Sequence, residues 1–437
     1  ATQRITMTVK VIGAGLAGAE AAICLAERGV KVELYDIKPS SFTPAHTDKN
    51  FGELVCSNSL KGKDAYSNAC GLLKEEMRTL GSLMTEAADK TQIPAGGALA
   101  VEREAFSAYI TGRIKNNSNI TVICEEVKSV PDEWSIIATG PLTTDALSQS
   151  IQSICGGQLH FYDASAPIVA RDSIDFDKCF YGDRYGKGGD DYINCPLTKE
   201  EYESFVDGLI CADKVILRDF EKREIFEGCM PVEVLASRGR DSLRFAMLKP
   251  VGLKDKNGNK FYAVLQLRKE NADGTAYNLV GCQTNLKFGE QKRVFSIIPA
   301  LKRAEILRYG VMHRNTFINS PTCLNADFSL KSNPTVFFAG QLTGVEGYVE
   351  SAASGLLAAL HIYEKLNGRQ PVIPDVTTVL GALSRHVSTP CENFQPMNAN
   401  FGILAPADIT IRDKKQRYAY LATRALESIK KYRQALN

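Results

Sequence analysis

Two cysteines stand where a thiol could do chemistry. Cys229 lies in Phe226-Glu227-Gly228-Cys229-Met230-Pro231-Val232-Glu233, between a glycine and a Met-Pro step, in a segment that reads as a loop. Arg238, Arg240, Arg244 and Lys249 follow it. Cationic neighbours favour the thiolate, which is the reactive form in addition and proton-transfer chemistry. Cys56 lies in Glu53-Leu54-Val55-Cys56-Ser57-Asn58-Ser59-Leu60, again without a clear helix or strand period. Taken one at a time, each is read as a packed structural cysteine, because most thiols are inert. The single notable histidine, His313 in Val311-Met312-His313-Arg314, is by itself a satisfied structural residue.

A third feature binds rather than reacts. Gly13-Ala14-Gly15-Leu16-Ala17-Gly18 follows the short apolar run Val9–Ile12 and precedes an Ala-rich helical stretch from Ala19 to Arg28. Gly13 permits the tight turn, Gly15 lets a pyrophosphate approach the helix N-terminus, and Gly18 lets helix and strand pack closely. Asp36, about 20 positions on, closes a second strand and can accept from a ribose hydroxyl; Lys38 follows it. This is a dinucleotide site. FAD rather than NAD follows from two later turns, Ala138-Thr139-Gly140 and Gly340-Gln341-Leu342-Thr343-Gly344-Val345-Glu346-Gly347-Tyr348, the second between a buried-type strand and a small-residue helix from Ser351 to His361.

These residues need a scaffold to position them. The β-α-β opening predicts an α/β fold with a Rossmann-type FAD-binding domain of the glutathione-reductase-like kind. Residues Ala69 to Ala88 have a helical period, Ile120 to Cys124 and Ile136 to Ala138 read as strands, and Lys414 to Ala435 reads as a surface helix. Between about Phe161 and Phe328 the texture changes. The glycine-rich loop Tyr185–Gly189 appears, a hairpin is expected from Phe261–Arg268 and Tyr277–Thr284, and Pro299 to Arg308 reads as helix. The division expected is an FAD-binding domain of residues 1–160 plus 325–437, with residues 161–324 as an inserted α+β domain.

Composition narrows the class. The chain of 437 residues is long enough for two ordinary cores. A net charge of +2 gives no global attraction to nucleic acid, so any RNA site must be a local patch. No run approaches the roughly 18 apolar residues of a membrane span, and residues 1–10 lack a secretory signal. Twelve cysteines occur without a C-x-x-C pair. That pattern reads as reduced thiols in a cytoplasmic protein, with no zinc site expected.

Several long blocks then resemble one family. VIGAGLAGAEAA, GELVCSNSLKG, GGALAVERE, YINCPLTKEEY, FEGCMPVEVLASRGRDSLRF, FGEQKRVFSIIPALKRAEILRYGVMHRNTFINSP, AGQLTGVEGYVESAASGL and FQPMNANFG, spanning residue 9 to about 402, are similar to the folate- and FAD-dependent tRNA (uracil-5-)-methyltransferases, TrmFO. The resemblance implies transfer of a one-carbon unit from methylenetetrahydrofolate to C5 of the T-loop uridine (position 54), with FAD as carrier and NADH or NADPH as reductant. It implies catalytic roles for Cys229 and Cys56. A thiolate from Cys229 would add to uracil C6, and Cys56 would remove the C5 proton or protect the activated flavin. It places Tyr348 near the isoalloxazine and His313 on the pterin, with Arg314 beside it.

For the RNA backbone, Arg238, Arg240, Lys287, Lys292, Arg293, Arg303 and the pairs Lys414-Lys415 and Lys430-Lys431 supply cations. The target uridine has to be turned out of its tertiary structure. A branch of the family acting on a 23S ribosomal RNA uridine would carry the same motifs, so ribosomal RNA is the alternative substrate. A FAD oxidoreductase with a small substrate, and a non-catalytic RNA-binding flavoprotein, are the remaining readings. The larger wobble-uridine-modifying relatives carry an additional C-terminal helical domain not expected here.

Overall fold

The computed structural model describes residues 7–186, 189–215, 230–392 and 394–436. Cys229 lies outside the described residues, as do Lys187 and Gly188 of the glycine-rich loop. The side chains of residues 158–163, His313 and Arg314 are likewise outside them.

The nucleotide-binding part is a five-stranded parallel sheet in the order Val336–Phe338, Ser135–Ile137, Thr8–Ile12, Lys31–Asp36, Ile120–Cys124. Its central strand feeds the glycine turn and the helix Leu16–Glu27, which is buried along almost its whole length. Small residues allow that burial. The long helix Tyr348–Leu366 crosses it so closely that a Cβ on Gly355 would stand 2.1 Å from the Ala17 carbonyl oxygen. Gly29, at φ +78°, ends the first helix and turns the chain into the next strand.

The helical period read over residues 69–88 is split in two. Helices Ala69–Thr79 and Leu83–Thr91 are separated at Gly81, which takes φ +81°. Asn68 and Ser82 cap the two starts by accepting from the N–H groups of Gly71 and Thr85.

The second unit is a six-stranded antiparallel sheet in the order Phe180–Tyr181, Tyr192–Leu197, Ala263–Lys269, Ala276–Leu279, Ile168–Ala170, Ile306–Arg308. Its buried face holds Ile193, Cys195, Leu265, Leu267 and Tyr277 against Phe205 and Leu209 of the helix Lys199–Cys211. The expected hairpin is present, with a second strand shorter than read, Ala276–Leu279.

The helix expected over Pro299–Arg308 is not formed. Pro299–Leu301 makes one tight turn, and Ile306–Arg308 pairs instead with Ile168–Ala170 through a β-bulge. Pairing with a strand far away in sequence overrides the local helical period. The two units are joined by a ribbon in which Gln158–Ala164 runs antiparallel to Met312–Ile318. Among the described residues no helix is long and apolar enough to cross a membrane.

Candidate functional site

A cleft of about 420 Å³ runs over the carboxyl ends of the parallel strands. All three glycine turns border it, through Gly13, Gly15, Leu16 and Ala17, through Thr139 and Gly140, and through Gly340, Gln341, Gly347 and Tyr348. The glycines divide the labour. A Cβ on Gly15 would meet nothing within 4 Å, so the space before the helix N-terminus is open to a ligand. A Cβ on Gly18 would stand 1.7 Å from the Gly13 carbonyl oxygen, so Gly18 serves packing and does not line the cleft. Gly13, at φ +97°, lies back to back with the second turn, where a Cβ would meet the Ala138 oxygen at 2.5 Å.

The helices starting at Leu16 and Tyr348 have no side-chain cap, which leaves first-turn N–H groups directed at the cleft. The buried atoms Thr144 Oγ1 and Asn398 Oδ1 also face it without a hydrogen-bond partner among the described residues. An open anion cradle with orphaned polar atoms around it fits a dinucleotide such as FAD. Asp36 accepts from Ala14 N at 2.7 Å and from Lys38 N at 2.8 Å, so its carboxylate is held rigidly and each oxygen keeps a lone pair for a ribose hydroxyl. Ala14 itself does not border the cleft. The ammonium of Lys38 is turned to the carbonyls of Asp48 and Asn50 and to Glu53 at 3.6 Å, an anchoring task for the 38–53 loop.

Cys56 lies on the wall of this cleft, and Tyr348 holds it. The Tyr348 hydroxyl accepts the N–H groups of Cys56 at 2.7 Å and Ser57 at 3.3 Å and donates to Cys56 Sγ at 3.0 Å. Burial pushes the Tyr348 phenol well above its ordinary range, the neighbouring Cys56 adding to this while Arg103 opposes it. The tyrosine therefore remains protonated and available as a donor.

Three arginines grip the same loop. Arg103 donates to the Leu54 carbonyl at 2.5 Å and pairs with Glu270 at 2.7 Å. Arg308 donates to the Val55 carbonyl. Arg268 donates to Ser57 Oγ at 2.8 Å and to Asn58 Oδ1 at 3.2 Å. Asn58, fully buried, returns its amide to the Lys269 carbonyl at 2.8 Å. Glu270, Arg268 and Arg308 come from the antiparallel sheet unit, so the Cys56 loop is clamped between the two units.

A family model described as glucose inhibited division protein A matches residues 8–370. A Staphylococcus aureus (strain JH9) protein named methylenetetrahydrofolate–tRNA-(uracil-5-)-methyltransferase TrmFO is 54% identical over 436 residues, covering 99% of this chain and 100% of the relative. The chain belongs to the GidA family and, within it, to the TrmFO group. The Newman strain's TrmFO matches at the same 54%. Aquifex aeolicus GidA superposes with a TM-score of 0.73 at 16% identity, over 100% of this chain and 74% of that one, a likeness of fold.

In this member of the TrmFO group, the structure brings together the three turns, Asp36, Cys56 and Tyr348. His313 and Arg314 sit on the ribbon strand Met312–Ile318, whose Asn315 borders the cleft. Arg238 ends the helix Val232–Ser237 and borders a second, smaller hollow. Lys292 and Arg293 lie on the helix Phe288–Phe295, outside the cleft lining, with Arg293 paired to Glu290 at 2.5 Å. Sequence reading missed Arg103, Arg268, Arg308 and Asn58. The signal for two of them was available: Arg103 is the arginine of GGALAVERE, and Asn58 lies in GELVCSNSLKG.

Proposed function

We propose that this protein transfers a one-carbon unit from methylenetetrahydrofolate to C5 of a uridine in the T-loop of tRNA, position 54, with FAD and NADH or NADPH as cofactors. The observation that carries the reading is the Cys56–Tyr348 pair, set on the wall of a dinucleotide cleft in a chain 54% identical along its length to TrmFO. FAD, when bound, supplies the carrier of the one-carbon unit and takes hydride from the nicotinamide.

The chain's own residues do the rest. Uracil C5 is a weak nucleophile until a thiolate adds at C6. Cys229 is the residue proposed for that addition, and its neighbour Met230 borders the small hollow next to the cleft. Once C5 carries its new substituent, its proton must leave before the sulfur is expelled. Cys56 is the proposed acceptor, because a hydroxyl donating to Sγ stabilises charge on the sulfur. The Tyr348 ring faces the cleft and is proposed to abut the isoalloxazine. His313 is proposed to stack on the pterin, with Arg314 beside it. Arg238, Lys292 and Arg293 are proposed for the phosphates. The division into residues 1–160 plus 325–437 for FAD and 161–324 for substrate is part of the same reading, as is a cytoplasmic location, where tRNA and reduced folate meet.

The test is direct. The purified protein is incubated with unmodified tRNA transcript, methylenetetrahydrofolate and NAD(P)H, and 5-methyluridine is measured by mass spectrometry of nucleosides. Product at the T-loop uridine is expected. Product only on a ribosomal RNA fragment moves the activity to that substrate, and turnover of NAD(P)H with a small acceptor and no RNA product replaces the reading with a plain oxidoreductase.

A further inference from the structure

Gln283 borders two cavities at once. It lines the large cleft and also a hollow of about 290 Å³ bounded by Met230, Leu235, Arg238, Ala246, Met247 and Gly281. Its backbone is fixed. The Gln283 carbonyl accepts the Val232 N–H at 2.7 Å, which ties it to the segment that follows Cys229. On its other side, the buried Glu233 accepts from Thr284 Oγ1 at 2.8 Å and from Asn285 N at 2.7 Å, locking the helix Val232–Ser237 onto residues 284–285. Its side chain is the opposite case. The half-buried amide has no hydrogen-bond partner among the described residues, although it carries two donors and an acceptor.

We propose that Gln283 reads the uracil ring of the RNA substrate, its amide carbonyl accepting from N3–H and its N–H donating to O4. The inference rests on the methyltransferase reading above. Its chemistry follows from the addition step. When the cysteine sulfur bonds to C6, the C5=C6 electron pair moves onto C5 and, by conjugation, onto O4, and no group leaves. An N–H at O4 binds that enolate more strongly than the neutral ring, so it lowers the barrier rather than merely tightening the complex. C5 then uses that pair to bond the incoming carbon; when the C5 proton departs, the C–H pair it leaves behind forms C5=C6, and the S–C6 pair goes with the sulfur to regenerate the thiolate. The hollow is large enough for a turned-out pyrimidine, and Met230 on its border is the neighbour in sequence of Cys229.

The experiment compares wild type with Gln283→Leu, which keeps the size and removes both polar groups, and with Gln283→Glu, which keeps an acceptor and removes the donor. FAD content and the melting temperature establish that each variant is folded. The expected result is a fall of about a hundredfold in kcat for tRNA methylation in both variants. The KM for tRNA should stay within a few-fold, and the change of the flavin spectrum on titration with methylenetetrahydrofolate should be unaltered. Unchanged kcat overturns the proposal. So does weakened folate titration with RNA kinetics intact, which would assign Gln283 to the pterin. Wild-type protein that makes no 5-methyluridine on tRNA or on the ribosomal RNA fragment defeats the methyltransferase reading itself, an outcome visible before any variant is compared.

Discussion

The Tyr348 hydroxyl sits between Cys56 Sγ, to which it donates at 3.0 Å, and the Cys56 N–H, from which it accepts at 2.7 Å, although 292 residues separate the two along the chain. One side chain therefore sets both the backbone and the sulfur of Cys56. Tyr348→Phe removes the acceptor for two amides as well as the donor to the sulfur. An unsatisfied buried donor costs roughly 1–3 kcal/mol. If that cost falls on the reacting geometry, kcat for tRNA methylation drops about 10- to 100-fold while FAD remains bound. Steady-state rates together with the flavin absorbance per chain check this, and loss of FAD in proportion to activity would show that the tyrosine holds the cofactor rather than the thiol.

Gly15 and Gly18 predict opposite phenotypes from the same substitution. Gly18→Ala forces a methyl against the Gly13 backbone carbonyl oxygen at 1.7 Å, a neighbour with no rotamer to swing aside, and is expected to prevent stable folding. Gly15→Ala meets nothing within 4 Å, so the protein should fold normally. Its methyl then stands at the helix N-terminus where the pyrophosphate must approach, and flavin content should collapse. Circular dichroism melts and flavin-to-protein ratios separate the two. A Gly15→Ala protein with full flavin content would show that the phosphates lie elsewhere.

The residues that told most in the sequence were those whose chemistry is local. Gly13 and Gly18 are legible because a turn and a close helix approach exclude a Cβ within a few positions, and Gly15 because a phosphate at the helix start needs the space a Cβ would take. Lys414–Ala435 is legible because a long surface helix repeats its period. Legibility failed where the deciding partner is remote. Nothing near Ile306–Arg308 announces Ile168–Ala170 as its strand partner. The grips of Arg103 on Leu54 and Arg308 on Val55 span 49 and 253 residues, and a carbonyl as acceptor leaves no mark on residue type. Cys56 was visible as a residue, but its setting was not, because that setting is assembled from a helix start, a sheet edge and a distant tyrosine.

The Arg103–Glu270 pair makes a prediction about coupling. Its side chains are 16% and 6% exposed, so both charges are largely withdrawn from water. Arg103→Met leaves the Glu270 carboxylate buried without its cation, a loss of about 3–5 kcal/mol. The double variant Arg103→Met, Glu270→Met removes the stranded charge and should recover most of that stability. Because Arg103 also holds the Leu54 carbonyl, the recovered protein should still methylate slowly. Urea denaturation of the four proteins gives the coupling energy. Additive losses would mean that the pair does not act as a unit.

A buried carboxylate sets the pH dependence of stability. Glu76 accepts from the N–H groups of Val379 at 2.8 Å and Leu380 at 2.9 Å and so joins the helix Ala69–Thr79 to the start of the helix Val379–Ser388. Burial outweighs those two bonds and raises its carboxyl from the ordinary 4.5 to about 8. The folded state then holds a proton that the unfolded chain releases. Its contribution is complete below pH 4.5, declines as pH rises, and is gone above about 8. The slope from this group is at most about 1.4 kcal/mol per pH unit. Glu76→Gln cannot titrate, and any cost of turning an amide N–H toward the helix start is the same at every pH. The quantity to read is therefore the change in urea midpoint between pH 5 and pH 8, which should be smaller in Glu76→Gln than in wild type. Equal changes in the two proteins would mean that Glu76 is ionised in the folded state throughout this range, with the two helix N–H groups outweighing its burial.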